Sequence, residues 1–527
     1  MAMQFGDAGI SRRSFLGTAG LAAGALFLAG CGTQPAASQE AASAASSGST
    51  EDAQTASGLA LSRDRSSAGT TDDVASFYGH VRSVTALART YPAGEKVIGA
   101  AIEYDAPLDA ASLDAGGGGI QQQAIQQGLG TYYVLGRTIS ALYVNDAPEL
   151  SEEGGSSSGA YAIIELDPRD AGAQTLLFQM SRGQVGSNGP VELGTDTLRI
   201  CQVKDISSSS GAVFAGDATM TRYMVSSSTS NAQTAGYVAG TFDDEATGCH
   251  AAFELLQPAG YDSSKSYPLV LFLPDAGVTT SDPEVNLRQG PGAVAWNDEE
   301  AYVLTVAGTT VDVETCLDLV DSLADEGCTI DRDRIYGTGE SAGCMALISY
   351  AAEHADDDRF AAYLFVAGQG DMAQIKQTPF IAFASEDDES SYGGLSDPEK
   401  GIPAIGVPYV EAQLDCTYDF DGEGHTSGRW VDYAATGESN PSGNQEGARA
   451  ADSDRTLDEL MADLSAEAAS TLGKADAEGA HIVFFHIAEG TLDGTDSSIQ
   501  GGNTHNFTWQ YAYSIPEIRS WILSQQR

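Results

Sequence analysis

The hydrophobic pattern changes near residue 240, and this change limits the possible folds more than any other feature of the chain. Before it, apolar residues occur in short alternating runs separated by Gly, Ser and Asp turns, without a long segment of helical period. The clearest runs are residues 96–104, 138–144, 160–166 and 198–203. Short strands of this kind predict an antiparallel β-sandwich. We assign it to residues 78–239, with a spacer or docking role as the default expectation.

After residue 240 the apolar runs become continuous and alternate with helical stripes. Residues 268–273 and 301–306 are typical of strands buried on both faces. A helical stripe follows, with Gly327 placed to end it, at Val313, Cys316, Leu317, Val320 and Leu323. Further strands are expected at 334–336, 361–366, 380–384 and 482–487, and further helices at 345–352 and 515–525. This alternation predicts a mainly parallel sheet flanked by helices over residues 240–527, with an insertion at about 401–478.

The charge balance of the chain is strongly negative. Its 527 residues include 26 Lys and Arg against 74 Asp and Glu, for a formal net charge of −48. Nucleic acid is therefore not expected as a partner, because the dominant electrostatic term would be repulsive. A charge of this size is also a common solubility trait, so it indicates no particular activity.

The N-terminus has the features of an export signal. Arg12 and Arg13 lie in a twin-arginine pattern, followed by a Gly/Ala/Leu stretch and a lipobox-like sequence that ends at Cys31. A short membrane anchor is the alternative, but the 15 residues from Leu16 to Gly30 fall short of the about 20 that a spanning helix needs. We expect residues 1–30 to be removed and Cys31 to carry a lipid on the outer face of the bacterial cytoplasmic membrane. Residues 31–77 would form a flexible Ser/Ala-rich tether.

The six cysteines after Cys31 show no metal-binding pattern. None of them forms a CxxC pair, so a zinc site is not expected. Cys316 lies in a predicted helix that ends near Glu326, which would place it too far from Cys328 for a disulfide. We predict no disulfide.

The segment Gly339-Glu340-Ser341-Ala342-Gly343 matches the GxSxG pattern of a nucleophile elbow. It lies between a predicted strand and a predicted helix, where a tight turn needs small residues on both sides of the nucleophile. The turn would aim the hydroxyl of Ser341 at the helix N-terminus, where the N–H of Ala342 can stabilise an oxyanion.

A serine nucleophile needs a base and a carboxylate that orients the base. His505 is the preferred base because it follows the last predicted strand, at the same sheet edge as the elbow, and His425 is its main rival. The remaining histidines are less suitable: His80, His250, His354, His481 and His486. Asp388, which follows the strand at 380–384, is the first choice for the acid, and Asp387 is the second.

The region from about residue 241 onward resembles bacterial α/β-hydrolases of the polyhydroxybutyrate-depolymerase and feruloyl-esterase group. The resemblance is strongest to their "predicted peptidase" relatives, which carry an N-terminal immunoglobulin-like domain. The matching segments are 258–262 and 267–270, Asp333-Arg334-Ile335-Tyr336 before the elbow, and His505 with Trp509, Tyr511-Ala512-Tyr513 and Trp521-Ile522. It implies hydrolysis of carboxylic esters, often on plant-polymer or carbohydrate substrates, without a metal or other cofactor.

Two positions depart from this family's pattern. Pro274-Asp275-Ala276-Gly277 stands where family members have His-Gly, and Cys344 stands where a glycine often occurs. Pro274 has no N–H, so the second oxyanion donor would be the N–H of Asp275 or Ala276. A carboxylate of Asp275 that pointed at the oxyanion would oppose catalysis. The alternative is that it turns away and forms hydrogen bonds within the loop.

An esterase is the leading functional hypothesis. The altered Asp275 loop motivates a second one, a non-catalytic surface lipoprotein that binds glycan or protein. A serine peptidase with the same triad is a third. The insertion at 401–478 could cap the cleft or be decoration.

Overall fold

The computed structural model describes most of the chain after residue 70. The described residues are 71–91, 94–116, 130–151, 154–168, 170, 172–177, 191–194, 196–244, 248–276, 282–307, 312–417, 455–491 and 504–527. The predicted export signal, Cys31, most of the predicted tether and His425 lie outside them.

The first part of the described chain is a β-sandwich. After helix α1 (Thr71–Phe77), its strands are β1 (Val81–Tyr91), β2 (Gly94–Asp109), β3 (Tyr132–Val134), β4 (Ile139–Asn145), β5 (Ser158–Leu166), β6 (Leu176–Leu177), β7 (Val191–Glu192), β8 (Arg199–Gln202), β9 (Ile206–Ser207), β10 (Val213–Phe214), β11 (Met224–Val225) and β12 (Ser228–Asn231), with a 3-10 turn at Ala110–Ser112. A five-stranded sheet has the order β12-β1-β2-β5-β4, and a three-stranded sheet has the order β11-β8-β3. Ile102, Ile164 and Ile200 are among the buried residues that form one core.

The sequence pattern predicted an antiparallel sandwich, but one pair of strands is parallel. Strand β12 pairs with β1 in parallel, with Thr85 opposite Ser228. Parallel neighbours need a long connection, and nearly the whole domain lies between these two strands. Alternation of apolar residues predicts which face of a strand is buried, but it does not predict the direction of its neighbour.

The second part is built on a nine-stranded sheet. Its strands are β13 (Tyr237–Asp243), β14 (His250–Leu256), β15 (Tyr267–Leu273), β16 (Tyr302–Ala307), β17 (Ile330–Glu340), β18 (Ala362–Val366), β19 (Phe380–Ser385), β20 (Val410–Leu414) and β21 (Ile482–Ile487). The order is β13-β14-β16-β15-β17-β18-β19-β21-β20. Strand β14 is antiparallel to both of its neighbours, and the seven strands from β16 to β20 in this order are parallel.

Helices cover this sheet on both faces. They are α2 (Glu284–Arg288), α3 (Pro291–Val294), α4 (Val313–Asp325), α5 (Ala342–Glu353), α6 (Glu389–Leu395), α7 (Ile402–Ile405), α8 (Leu457–Glu478), α9 (Thr504–Ser514) and α10 (Pro516–Leu523). Along β15, Leu269 and Leu271 belong to one core cluster and Val270 and Phe272 to another. This confirms the prediction of a strand buried on both faces.

Strand β17 is longer than the sequence predicted. It continues beyond Tyr336 through the elbow motif as far as Glu340, with Gly337 and Gly339 paired to β18. Glycine is a poor strand former, so the pattern did not show this extension. Glycine fits at residue 337 because a Cβ there would lie 2.8 Å from the ring of Tyr363.

Two further features concern cysteines and membrane spans. The six cysteines in the described part of the chain all have free thiols, and Cys316 lies on α4. Within those same residues, no helix combines the length and the apolar character needed to cross a membrane.

Candidate active site

Ser341 lies in a strained turn between β17 and α5. Its φ and ψ angles are 49° and −111°, a left-handed conformation that costs a non-glycine residue about 1–3 kcal/mol. Two backbone hydrogen bonds hold the turn: the N–H of Ser341 donates to the carbonyl of Val366 at 3.1 Å, and the N–H of Met345 donates to the carbonyl of Ser341 at 2.9 Å. This turn places the side chain of Ser341 between the end of a central strand and the start of a helix.

Close backbone packing explains the two glycines of the elbow. A Cβ at Gly339 would lie 2.6 Å from the carbonyl carbon of Gly343. A Cβ at Gly343 would lie 2.2 Å from the carbonyl oxygen of Leu273 and 2.6 Å from that of Pro274. The start of α5 therefore packs directly against the end of β15. The predicted oxyanion loop begins there, at Pro274.

This packing determines where the predicted oxyanion donors lie. Ala342 is the first residue of α5, and the N–H groups of a first helical turn have no partner within the helix. Asp275 and Ala276 follow Pro274 and are half-buried. The loop and the helix start are thus neighbours, which is the arrangement that two converging N–H donors require.

His505 and Asp388 are in direct contact. The Nδ1 atom of His505 lies 2.5 Å from Oδ2 of Asp388, whose side chain is only 9% exposed. Burial by itself raises the pKa of the Asp388 carboxyl, but hydrogen bonds from His505 and Ser391 outweigh burial and leave that pKa below its usual value. Asp388 is therefore an ionised partner that orients the imidazole.

The local structure explains why Asp388 is held in place. Asp388 is the N-cap of α6, and its Oδ1 accepts a hydrogen bond from the N–H of Ser391 at 3.3 Å. His505 lies in the first turn of α9, a helix that was not among those predicted from the sequence. Both groups are thus fixed by the beginning of a helix.

Ser391 connects this pair to the elbow. Its hydroxyl donates to the carbonyl of Ala367 at 2.9 Å and lies 3.4 Å from Nδ1 of His505. Ala367 directly follows Val366, which accepts the N–H of Ser341. A short series of contacts therefore leads from the nucleophile turn to the imidazole.

The sheet order explains this convergence. Strands β17, β18, β19 and β21 are consecutive parallel neighbours. Ser341 follows β17, Asp388 follows β19 and His505 follows β21. Carboxyl ends of parallel strands meet at one sheet edge, where ligands bind in open α/β sheets.

The other candidate side chains have different partners. Asp387, the second choice for the acid, accepts the N–H of Gly490 at 2.8 Å. His486 lies between Glu386 and Glu411, at 2.7 Å and 3.1 Å, and His481 is 2.9 Å from the carbonyl of Lys376. The three remaining described histidines pair with acidic residues elsewhere: His80 with Asp105, His250 with Asp243, and His354 with Glu314. Among the described candidates, Asp388 is the acid that contacts His505.

Two residues of the site escaped the sequence analysis. Ser391 follows Asp388 by three positions, a spacing that an N-cap search would have found. Glu340 stands inside the elbow motif, but the pattern does not constrain that position. Its side chain is fully buried, and neither carboxyl oxygen has a hydrogen-bond partner among the described residues. Over the same residues, no group of three or more His, Cys, Asp or Glu side chains is placed to hold a metal ion.

Comparison with known proteins agrees with this architecture. Residues 83–215 match a family described as the esterase Ig-like N-terminal domain. A solved structure described as that of a thermostable esterase matches 85% of this chain and 100% of its own, with a TM-score of 0.56 and 19% sequence identity. The fold is an α/β-hydrolase preceded by an immunoglobulin-like domain. This confirms the predicted fold class, and at this identity the likeness to the solved structure concerns the fold alone.

Two other solved structures match part of the chain at lower scores. S-formylglutathione hydrolase FrmB from Staphylococcus aureus covers 55% of this chain and 96% of its own, with 11% identity and a TM-score of 0.26. A ferulic acid esterase covers 53% and 98%, with 12% identity and a TM-score of 0.26. No curated protein matches the chain in sequence.

Proposed function

We propose that this protein is an extracytoplasmic serine hydrolase that cleaves carboxylic esters with a triad of Ser341, His505 and Asp388. The observation that supports this most is the 2.5 Å contact between His505 and Asp388, at the sheet edge where Ser341 lies in a strained turn. The triad arrangement is recognised by these roles rather than by sequence position.

The proposed reaction has two half-steps. The Oγ of Ser341 attacks the ester carbonyl while Nε2 of His505 takes its proton, because Nδ1 is directed to Asp388. The N–H of Ala342 and that of Asp275 or Ala276 stabilise the oxyanion. His505 then gives the proton to the leaving alcohol, and water attacks the acyl-serine in the same manner to release the acid and restore Ser341.

Ester chemistry is supported by both domains. The N-terminal domain matches a family named for its occurrence in esterases, and the resemblance of the sequence is to hydrolases of carbohydrate- or polymer-linked esters. We further propose export by the twin-arginine route and anchoring through a lipid on Cys31. The sequence around Arg12 and Arg13 and the lipobox-like residues before Cys31 support that proposal.

A fluorophosphonate probe tests the nucleophile, because it labels only an activated serine. We expect labelling of wild-type protein at Ser341, no labelling of Ser341→Ala, and loss of turnover of a short p-nitrophenyl ester in that variant. Ser396→Ala is the matched control, since among the described residues its hydroxyl bonds to the carbonyl of Tyr392 in α6 and to no other group, and it should keep both activities. Full ester turnover by folded Ser341→Ala would refute the triad.

A non-catalytic binding protein is the second candidate, and the half-buried Asp275 in the oxyanion loop favours it. Under that alternative, wild-type protein stays unlabelled by the probe. A peptidase would label at Ser341 as well, so matched ester and amide substrates with the same acyl group separate it from an esterase.

A further inference from the structure

Glu340 is the residue directly before the nucleophile, and its side chain points into the protein. It ends β17 and has no exposed surface. Its Oε1 atom lies against the backbone of α3, because a Cβ added to Gly292 would be 2.7 Å from that oxygen and 2.0 Å from the ring of Phe272. The carboxyl group therefore occupies a tight space between β15 and α3, underneath the elbow.

The surroundings of this carboxyl group contain no compensating charge among the described residues. Neither oxygen has a hydrogen-bond partner there. The carboxylate of Asp275, in the oxyanion loop, interacts electrostatically with that of Glu340. Tyr513 on α9 also interacts with Glu340, and the hydroxyl of Tyr513 lies 3.1 Å from Oγ1 of Thr338. Burial, and then the like charge of Asp275, raise the pKa of Glu340 well above its usual value.

An ionised carboxylate in such a place is strongly disfavoured, because it loses its hydration and gains neither a cation nor a donor. It would also put a second negative charge beside the loop that is meant to stabilise an oxyanion. Such a charge opposes the transition state of ester cleavage by Coulomb repulsion.

We propose that Glu340 works as a neutral carboxylic acid, a positioning residue that fills the space beneath the elbow without adding negative charge beside the Asp275 loop. Its effect on catalysis rests on the proposed esterase function. Its protonation state does not, so the two ideas fail separately.

Infrared spectroscopy of the full chain reads this protonation state directly. At pH 7, the spectrum of wild-type protein minus that of Glu340→Gln should contain the C=O stretch of a protonated carboxylic acid. Labelling the glutamates with ¹³C in both wild-type protein and Glu340→Gln should shift this difference band. Because Glu254 contributes equally to both spectra, the shifted band is assigned to Glu340. Ser341→Ala should keep the band whether or not that variant is active. Absence of the band at pH 7 shows an ionised Glu340 and overturns the proposal.

The influence of Asp275 has its own test. Removal of a like charge favours ionisation, so Asp275→Asn should move the titration of the infrared band to lower pH. A band that titrates identically in both proteins, or persists unchanged in both until they unfold, contradicts the coupling.

Turnover separates the neutral acid from a required negative charge. Glu340→Ala leaves a cavity under the elbow and should lower kcat at least about tenfold. Glu340→Gln, which keeps the shape and stays neutral, should restore kcat to within about threefold of wild type. A folded Glu340→Gln with kcat as low as that of Glu340→Ala overturns the neutral role.

Discussion

Nδ1 of His505 and Oδ2 of Asp388 are 2.5 Å apart, and this contact joins the first turn of α9 to the N-cap of α6. Its direction matters as much as its length. Because Nδ1 is directed to the carboxylate, Nε2 is the nitrogen that the proposed mechanism uses as base. The neighbouring Asp387 is turned to the backbone of Gly490 instead.

Substitution of each of the two adjacent aspartates by asparagine should therefore have unequal effects on kcat. Asp388→Asn removes the carboxylate that orients His505 and should lower kcat by roughly 10³–10⁴-fold. Asp387→Asn serves as the matched control and should keep kcat within about threefold. Steady-state kinetics on a p-nitrophenyl ester measures both, and a fall of less than tenfold for Asp388→Asn contradicts its role.

Gly343→Ala should damage the elbow. The new Cβ would lie 2.2 Å from the carbonyl oxygen of Leu273, and such overpacking costs about 1–3 kcal/mol. Gly473→Ala on α8 is the control, because a Cβ there meets nothing within 4 Å and alanine is favoured in a helix by about 0.5–1 kcal/mol. Urea unfolding should show opposite signs for the two variants. Equal stability of Gly343→Ala and wild type would show that the backbone moves aside freely.

Glu254 on β14 should make the protein less stable as the pH rises. Burial, followed by the charges of Glu284 and Asp282, raises the pKa of Glu254 to about 7 from 4.5. The folded state thus holds a proton that the unfolded state has lost. The stability that protonated Glu254 contributes is therefore fully present below pH 4.5, and it is lost as the pH rises through about 7.

Glu254→Gln should remove that decrease, so its free energy of unfolding should change less than that of wild type between pH 5 and pH 8. Glu353→Gln, at an exposed position on α5, is the comparison. Parallel stability curves for wild type and Glu254→Gln would count against the argument.

A partly buried ion pair joins the immunoglobulin-like domain to α2 of the hydrolase domain. Nε of Arg288 is 2.9 Å from Oε2 of Glu95, and their side chains are 17% and 4% exposed. Arg288→Met removes the cation beside the buried carboxylate of Glu95, which keeps hydrogen bonds from Thr175 and Asn231, and should destabilise the protein by roughly 1–3 kcal/mol in urea unfolding. Adding Glu95→Gln should recover a large part of that loss.

The exposed pair of Lys204 and Asp114 provides the comparison for this prediction. Lys204→Met should cost only about 0–1 kcal/mol, because water screens that pair. Similar losses for Arg288→Met and Lys204→Met would show that the ion pair between the domains contributes little.

The sequence predicted the sheet edge well because strongly periodic signals mark it. Each of these signals is local in the sequence. They are the apolar run of β15, the glycines around Ser341 and the position of His505 after the last strand. The structure brings His505 to Asp388, while the catalytic roles of these residues remain predictions. The parallel pairing of β1 with β12 was not predictable, because it depends on contacts between residues far apart in sequence.

Glu340 was missed for a different reason. The sequence places a glutamate beside a catalytic serine, but only the packing of Gly292 and Phe272 shows that its carboxyl group is enclosed. Ser391 is an intermediate case, since its spacing from Asp388 indicates a cap but not a contact with His505. A burial state that depends on three separate segments cannot be inferred from one of them.

The start of β13 has a practical consequence. That strand begins at Tyr237, whose hydroxyl reaches Asn297 at 2.9 Å, and it forms the border of the nine-stranded sheet. A protein truncated to begin at residue 240 would lack the first three residues of this edge strand. The neighbouring backbone of β14 would then be exposed, which promotes aggregation. Expression of the hydrolase domain by itself should therefore start upstream of Tyr237, so that β13 keeps its full length.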